Sequence, residues 1–196
     1  MNMVMAFAQS MYVPLAIAFF GMAANYLVSG GQALFQHPKD CPDSHKSLGL
    51  WGFWMGGFMP FITGVYLMVG LSWFAVYGSK PPLYLFAVTL TAYGVQWFYS
   101  GWRRYVGAGD EFEGWMAIPF ALLSLFAMIV FFDIGAVMPA ILYLLLTLIY
   151  LSEIPTRLGR WTNGSRLTGF WEILAALWLV YLTFFMIVHI VLGAHL

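Results

Sequence analysis

Thr89, Tyr93, Gln96 and Ser100 follow one another at intervals of four, three and four residues, which puts all four side chains on one face of a helix. They offer hydroxyl and amide groups, both donors and acceptors, and no charge. A surface of that kind suits the passage or binding of a small polar solute rather than bond-making. Tyr143, Thr147 and Tyr150 repeat the spacing further along, Glu172 and Thr183 lie eleven apart on nearly one face, and Asn25 adds an amide near the start. Together the ten could line one narrow route. The alternative is that they act as glue between packed helices, since Ser, Thr and Gln commonly bond across helices in lipid.

The ionisable residues of the apolar segments stand near their ends. Glu153 and Glu172 belong with one set of connections, and Asp133, His189 and His195 with the other, where they could sense acid. Arg166 stands about one turn before Glu172, so a local ion pair is a second role for that carboxylate. No Lys or Arg is expected deep in a span, which favours a neutral solute over a permanent anion, although a weak acid could cross protonated. His37, Cys41 and His45 are spaced by fours, as a helical metal site would have them. Pro38 and Pro42 argue against a helix there, so no metal is expected. A haem held between helices would want two histidines at matching depth, and only His189 falls inside a span, so no cofactor is expected either. The sequence holds no HExxH, GxSxG, paired CxxC or phosphate-binding glycine loop, and an enzyme is not indicated. The lone Cys41 makes no internal disulfide.

These residues must be positioned by membrane-spanning helices. Hydrophobic residues make up 62% of the chain and charged ones 8%, against roughly 25% charged in a soluble domain, so the lipid bilayer is the partner expected. Apolar segments near 11–30, 49–77, 83–102, 115–134, 136–154 and 168–192 predict an all-α, polytopic bundle of six spans in a single transmembrane domain over residues 1–196. The fourth and fifth are parted only by the region of Asp133, Gly135 and Pro139, which leaves five as the other count. The amino-terminal segment has no Lys or Arg ahead of its apolar run and reads as a retained first helix rather than a signal peptide.

Lys39, Lys46, Arg103, Arg104, Arg157, Arg160 and Arg166 fall in the first, third and fifth connections, and Lys80 alone on the other side. Positive residues stay cytoplasmic, so both termini are expected on the non-cytoplasmic side. A net charge of zero implies no nucleic-acid partner. Gly52, Gly56, Pro60 and Gly64 recur every four residues in the second segment, a smooth stripe suited to close helix packing or, less simply, to a pore wall. Nine Trp, eleven Tyr and eighteen Phe are enough both for interfacial belts and for a flat aromatic slot.

The arrangement resembles the amide-transporter and urea-channel family (AmiS/UreI). The third segment, TLTAYGVQ, resembles a family stretch T-Y-L-Y-x-x-x-N, with Thr89 at its start and Gln96 in place of Asn, and GFWEIL places Glu172 where the family has a Glu after an apolar pair. IPTRLGR and FWMGGFMP are also similar to family stretches. The family's fifth span commonly carries two tryptophans a turn apart, where this chain has Pro139 and Tyr143. The resemblance implies a hexameric homo-oligomer in a bacterial inner membrane, with one path per protomer for urea or a short amide. A second resemblance is to the acetate and succinate permease family, through SLGLWGF and GWRRYVGAGDEFE. That one implies a small-carboxylate permease. A non-transporting helical subunit of a larger membrane complex is the reading from another class.

Overall fold

The structure is a computed structural model that describes residues 12–39, 41–75, 77, 81–159, 161 and 163–192. Among the described residues the fold is all helical, with α1 Tyr12–Phe35, α2 Pro42–Ser72, α3 Pro81–Val106, α4 Glu111–Asp133, α5 Val137–Arg157 and α6 Gly164–Leu192. Five of these are long and apolar enough to cross a membrane. The exception is α3, whose 26 residues reach about 39 Å but carry the longest polar stripe and two arginines. Its polar residues Thr89, Gln96, Ser100 and Arg103 are all buried, so the face that lowers its hydropathy is turned into the bundle.

The fourth and fifth segments are separate helices. Asp133 closes α4, Gly135 takes the left-handed φ of 72° that a tight reversal needs, and α5 begins two residues later. In the second segment the boundaries differ from expectation. Pro42 does not break a helix; it opens α2 as its first residue, where a missing N–H costs nothing, with Cys41 as N-cap. His45 is therefore helical while His37 and Cys41 are not, and the described residues contain no group of three His, Cys, Asp or Glu placed to hold a metal.

The helices pack as α1 on α6, α4 on α5, α2 on α3 and α5 on α6, with α1 also crossing the middle of α2. Glycines make these approaches possible. A Cβ on Gly94 would stand 2.6 Å from Phe61 Cβ and 2.7 Å from its backbone nitrogen, and one on Gly101 would stand 2.6 Å from Gly49 O. The stripe of the second segment is thus a packing seam: Gly52 and Gly56 lie against Trp97 and Asn25, and Gly64 against Ala87 and Thr91. Residues Gly52–Phe58 are π-helical, with Met59 N–H donating to Trp54 O. A four-residue repeat drifts about 40° per step on an α-helix, and the wider π turn brings it back, which keeps the stripe on one side.

Candidate solute path

The chain's alternation puts the carboxyl ends of α1, α3 and α5 and the amino ends of α2, α4 and α6 at one end of the bundle. This basic end holds a vestibule of about 260 Å³, bordered among others by Ser29, Arg103, Arg104, Glu153, Arg157 and Glu172. Arg103, Arg104 and Arg157 were expected in connections, outside the spans. They occupy instead the last turns of α3 and α5, and all three border the vestibule. Arg103 is 8% exposed; its guanidinium donates to Ala108 O at 2.9 Å and to Glu113 Oε2 at 2.8 Å. Arg157 donates to Asp110 Oδ2 at 2.5 Å, and its Nε lies 3.4 Å from Glu153 Oε1 and 3.6 Å from Glu113 Oε2. One cluster, buried at Arg103 and Glu113 and open at Asp110, therefore ties α3, α4 and α5 together at this end of the bundle. Asp110 lies outside the spans; partial burial pushes its carboxyl up, but the hydrogen bond and charge of Arg157 outweigh this and hold it below the ordinary aspartate value.

Glu172 is 8% exposed and accepts a hydrogen bond from Ser29 Oγ at 2.9 Å, across the α1–α6 contact, rather than pairing with Arg166. Below it the vestibule narrows to a void of about 20 Å³ among Tyr26, Gln96, Trp97, Ser100, Arg104, Glu113, Tyr150 and Glu172. That is room for about one water molecule.

Beyond the void the polar faces of α3 and α5 meet. Tyr150 OH donates to Gln96 Oε1 at 2.5 Å, one turn further Tyr93 OH and Ser124 Oγ are 2.8 Å apart, and beyond that Thr89 and Tyr143 join their hydroxyls. These rungs form a ladder of uncharged hydrogen bonds, and rings fill the space between them. Phe120 stacks on Tyr150 at 5.7 Å, Tyr93 on Tyr150 at 6.1 Å and Phe131 on Tyr143 at 5.3 Å. The ladder is closed, because its side chains are spent on one another.

Not every expected residue joins it. Thr147 and Thr183 are buried but donate back to the carbonyls of Tyr143 and Leu179 in their own helices. Asn25 is 2% exposed and packs on Gly56 beside Trp97, to one side of the ladder. Ser100 lines the void. At the opposite end, Asp133 is exposed at the close of α4, and His189 stacks on Phe185 at 6.1 Å. His195 lies outside the described residues.

Ser29 has a signal in the spacing, since it follows Asn25 by four residues and precedes Gln32 by three, on one helical face. Ser124 had no such signal, being a lone hydroxyl in an apolar run.

No protein-family model matches the sequence, and neither does any curated protein. Among solved structures, the fold is similar to that of the bacterial acetate channel SatP, with a TM-score of 0.73 at 13% identity over 92% of this chain and 94% of that one. At that identity the likeness speaks for the fold, a helical membrane bundle spanning nearly the whole of both chains.

Proposed function

We propose that the chain is a passive channel that carries a small planar polar solute in uncharged form along the axis of each protomer. The cargo class is urea, a short amide or the undissociated form of a short carboxylic acid. These share a size of about four heavy atoms and offer a donor and an acceptor together, which is what the rungs exchange among themselves. The observation that carries the reading is the ladder Gln96–Tyr150, Tyr93–Ser124 and Thr89–Tyr143, continuous with a vestibule at one end and free of charge along its length. A solute entering from the void replaces one rung's partner at a time, with the rings as its walls.

The mouth supports a neutral cargo. Asp110, Glu113, Glu153 and Glu172 face Arg103, Arg104 and Arg157 across the vestibule and void, four carboxylates against three guanidiniums, so an anion is not concentrated there. The second reading, a small-carboxylate permease, is favoured by Arg104, which borders both spaces and has no carboxylate within ion-pairing distance among the described residues. The similar fold belongs to an acetate channel, which is compatible with either reading. Our proposal also places the basic end in the cytoplasm, by the seven-to-one charge asymmetry. It further takes the protein to be a homo-oligomer of a bacterial inner membrane, with no enzymatic role.

Stopped-flow swelling of proteoliposomes separates the two readings. Under the neutral reading urea or acetamide enters faster than into empty liposomes, acetate flux rises with acid, and Arg104→Gln leaves amide flux within about twofold. Acetate permeation that peaks near neutrality and vanishes in Arg104→Gln, with no amide flux, establishes the carboxylate reading. Amide flux that is unchanged between about pH 5 and pH 7.5 removes any acid gate at Asp133 and His189.

A further inference from the structure

A larger cavity, about 570 Å³, adjoins the vestibule between the amino end of α2 and the carboxyl end of α3, sharing His45, Arg103 and Arg104 with it. Its wall brings together His45, Lys46, Arg103 and Arg104, with Cys41, Pro42 and residues 105–108 completing it. The charge here is unlike that of the vestibule. Four carboxylates border the vestibule and its void, whereas none of the described residues lining this cleft is acidic.

The cations are not equivalent. Arg103 is committed to Ala108 O and Glu113. Arg104 has no carboxylate within ion-pairing distance among the described residues, and Lys46 is exposed. The first turn of α2 opens on the same cleft through Cys41 and Pro42, so the positive end of the helix dipole faces it, although the Ser44 and His45 N–H groups are already bonded to Cys41. Trp102 and Tyr105 stack at 5.8 Å beside it, with Trp102 58% exposed, as aromatic residues do at headgroup depth. A cleft of this volume, with Lys46 at the amino end of α2 on one wall and Arg104 on the other, matches a tetrahedral oxyanion better than a planar neutral solute.

We propose that this cleft is a binding site for a phosphate-bearing anion, held by Lys46 and Arg104 with His45 and the amino end of α2 beside them. The phosphate could belong to an anionic lipid headgroup or to a soluble molecule. Arg104 borders this cleft as well as the vestibule and the void, whereas Lys46 and Cys41 line the cleft and neither of the other two spaces.

Cys41 supplies the readout, being the single cysteine of the chain, exposed, and part of the cleft wall. The experiment follows alkylation of Cys41 by a neutral maleimide in the full chain. It uses nanodiscs of phosphatidylcholine alone, the same discs with inorganic phosphate, and discs containing phosphatidylglycerol. An anion in the cleft is expected to slow labelling saturably, and loss of one surface cation is expected to weaken the anion's hold by roughly fivefold. Protection by phosphate in phosphatidylcholine discs assigns a soluble ligand, and protection by phosphatidylglycerol alone assigns a headgroup. Lys46→Glu should abolish the protection and Lys46→Arg should keep it; Lys46→Gln serves if the glutamate variant does not fold. Labelling that neither anion slows overturns the proposal, as does protection that survives undiminished in Lys46→Glu or Lys46→Gln.

Discussion

The rung between Tyr150 and Gln96 can be weighed by a double-mutant cycle. Tyr150 is 2% exposed, its ring stacks on Phe120 and Tyr93, and its hydroxyl donates to Gln96 Oε1. Tyr150→Phe keeps the ring contacts and removes only the donor. A buried acceptor left without a partner costs about 1–3 kcal/mol. Gln96, however, borders the void of about 20 Å³, where a water molecule fits and can take over the bond. The low end, about 1 kcal/mol, is therefore expected for Tyr150→Phe. Gln96→Leu removes the acceptor and strands the tyrosine hydroxyl at a similar cost. Cross-helix hydrogen bonds in membranes couple by about 0.6 kcal/mol on average and up to roughly 1.7, so a coupling energy of about 1 kcal/mol is expected for the double variant. Steric trapping in bicelles, which measures unfolding reversibly, gives all four corners of the cycle. Coupling indistinguishable from zero, with both single variants destabilised, would refute the rung and with it the claim that the faces of α3 and α5 are joined by specific bonds.

Gly94→Ala presses a methyl to within 2.8 Å of Phe61 and Gly57 backbone atoms, which cannot yield, and should cost about 1–3 kcal/mol. Gly31→Ala meets nothing within 4 Å and should be neutral or stabilising by up to about 1 kcal/mol; the thermal unfolding of the two variants compares them directly. Glu113→Gln leaves Arg103 as a buried charge without its carboxylate while Arg157 retains Asp110 and Glu153, so a loss of about 3 kcal/mol is expected in the same assay. Asp110 has a lowered folded-state value, so its contribution is fully present above the ordinary aspartate value near 3.9 and is lost as pH falls through the folded one. Its side chain is 46% exposed, which holds that contribution below about 1 kcal/mol; Asp110→Asn should flatten this part of an acid titration of stability, and an unchanged titration would show the Arg157 contact to be without effect.

The spacing of Thr89, Tyr93, Gln96 and Ser100 and of Tyr143, Thr147 and Tyr150 was enough to place them on inward faces, because helical periodicity is local. Which faces meet is not local. The pairing of Gln96 with Tyr150 depends on how α3 and α5 cross, and Ser124 enters the ladder from an α4 whose apolar sequence carries no mark of it. The arginines misled for a related reason. Charge asymmetry groups Arg103, Arg104 and Arg157 at one end but cannot tell a side chain in a connection from one in the last helical turn, where Arg103 and Arg157 fold inward on Glu113. Pro42 argues against a helix when proline is taken as an interior residue, whereas at the first position of α2 it is accepted. The four-residue glycine repeat pointed to close packing, yet only the backbone shows the π turn that keeps the repeat in register.

The central claim is that the solute crosses uncharged, and a membrane potential tests it most directly. Proteoliposomes are set to a potassium diffusion potential of about 100 mV in either sign, worth about 2.3 kcal/mol per elementary charge, and the uptake of labelled acetamide and acetate is followed after subtraction of empty liposomes. Crossing in neutral form predicts protein-dependent uptake of one or both, with rates that ignore the potential, acetate following only its undissociated fraction, and Gln96→Leu lowering the flux at least about fivefold. Acetate accumulation that follows the sign of the potential, or flux that Gln96→Leu leaves unchanged, would contradict it.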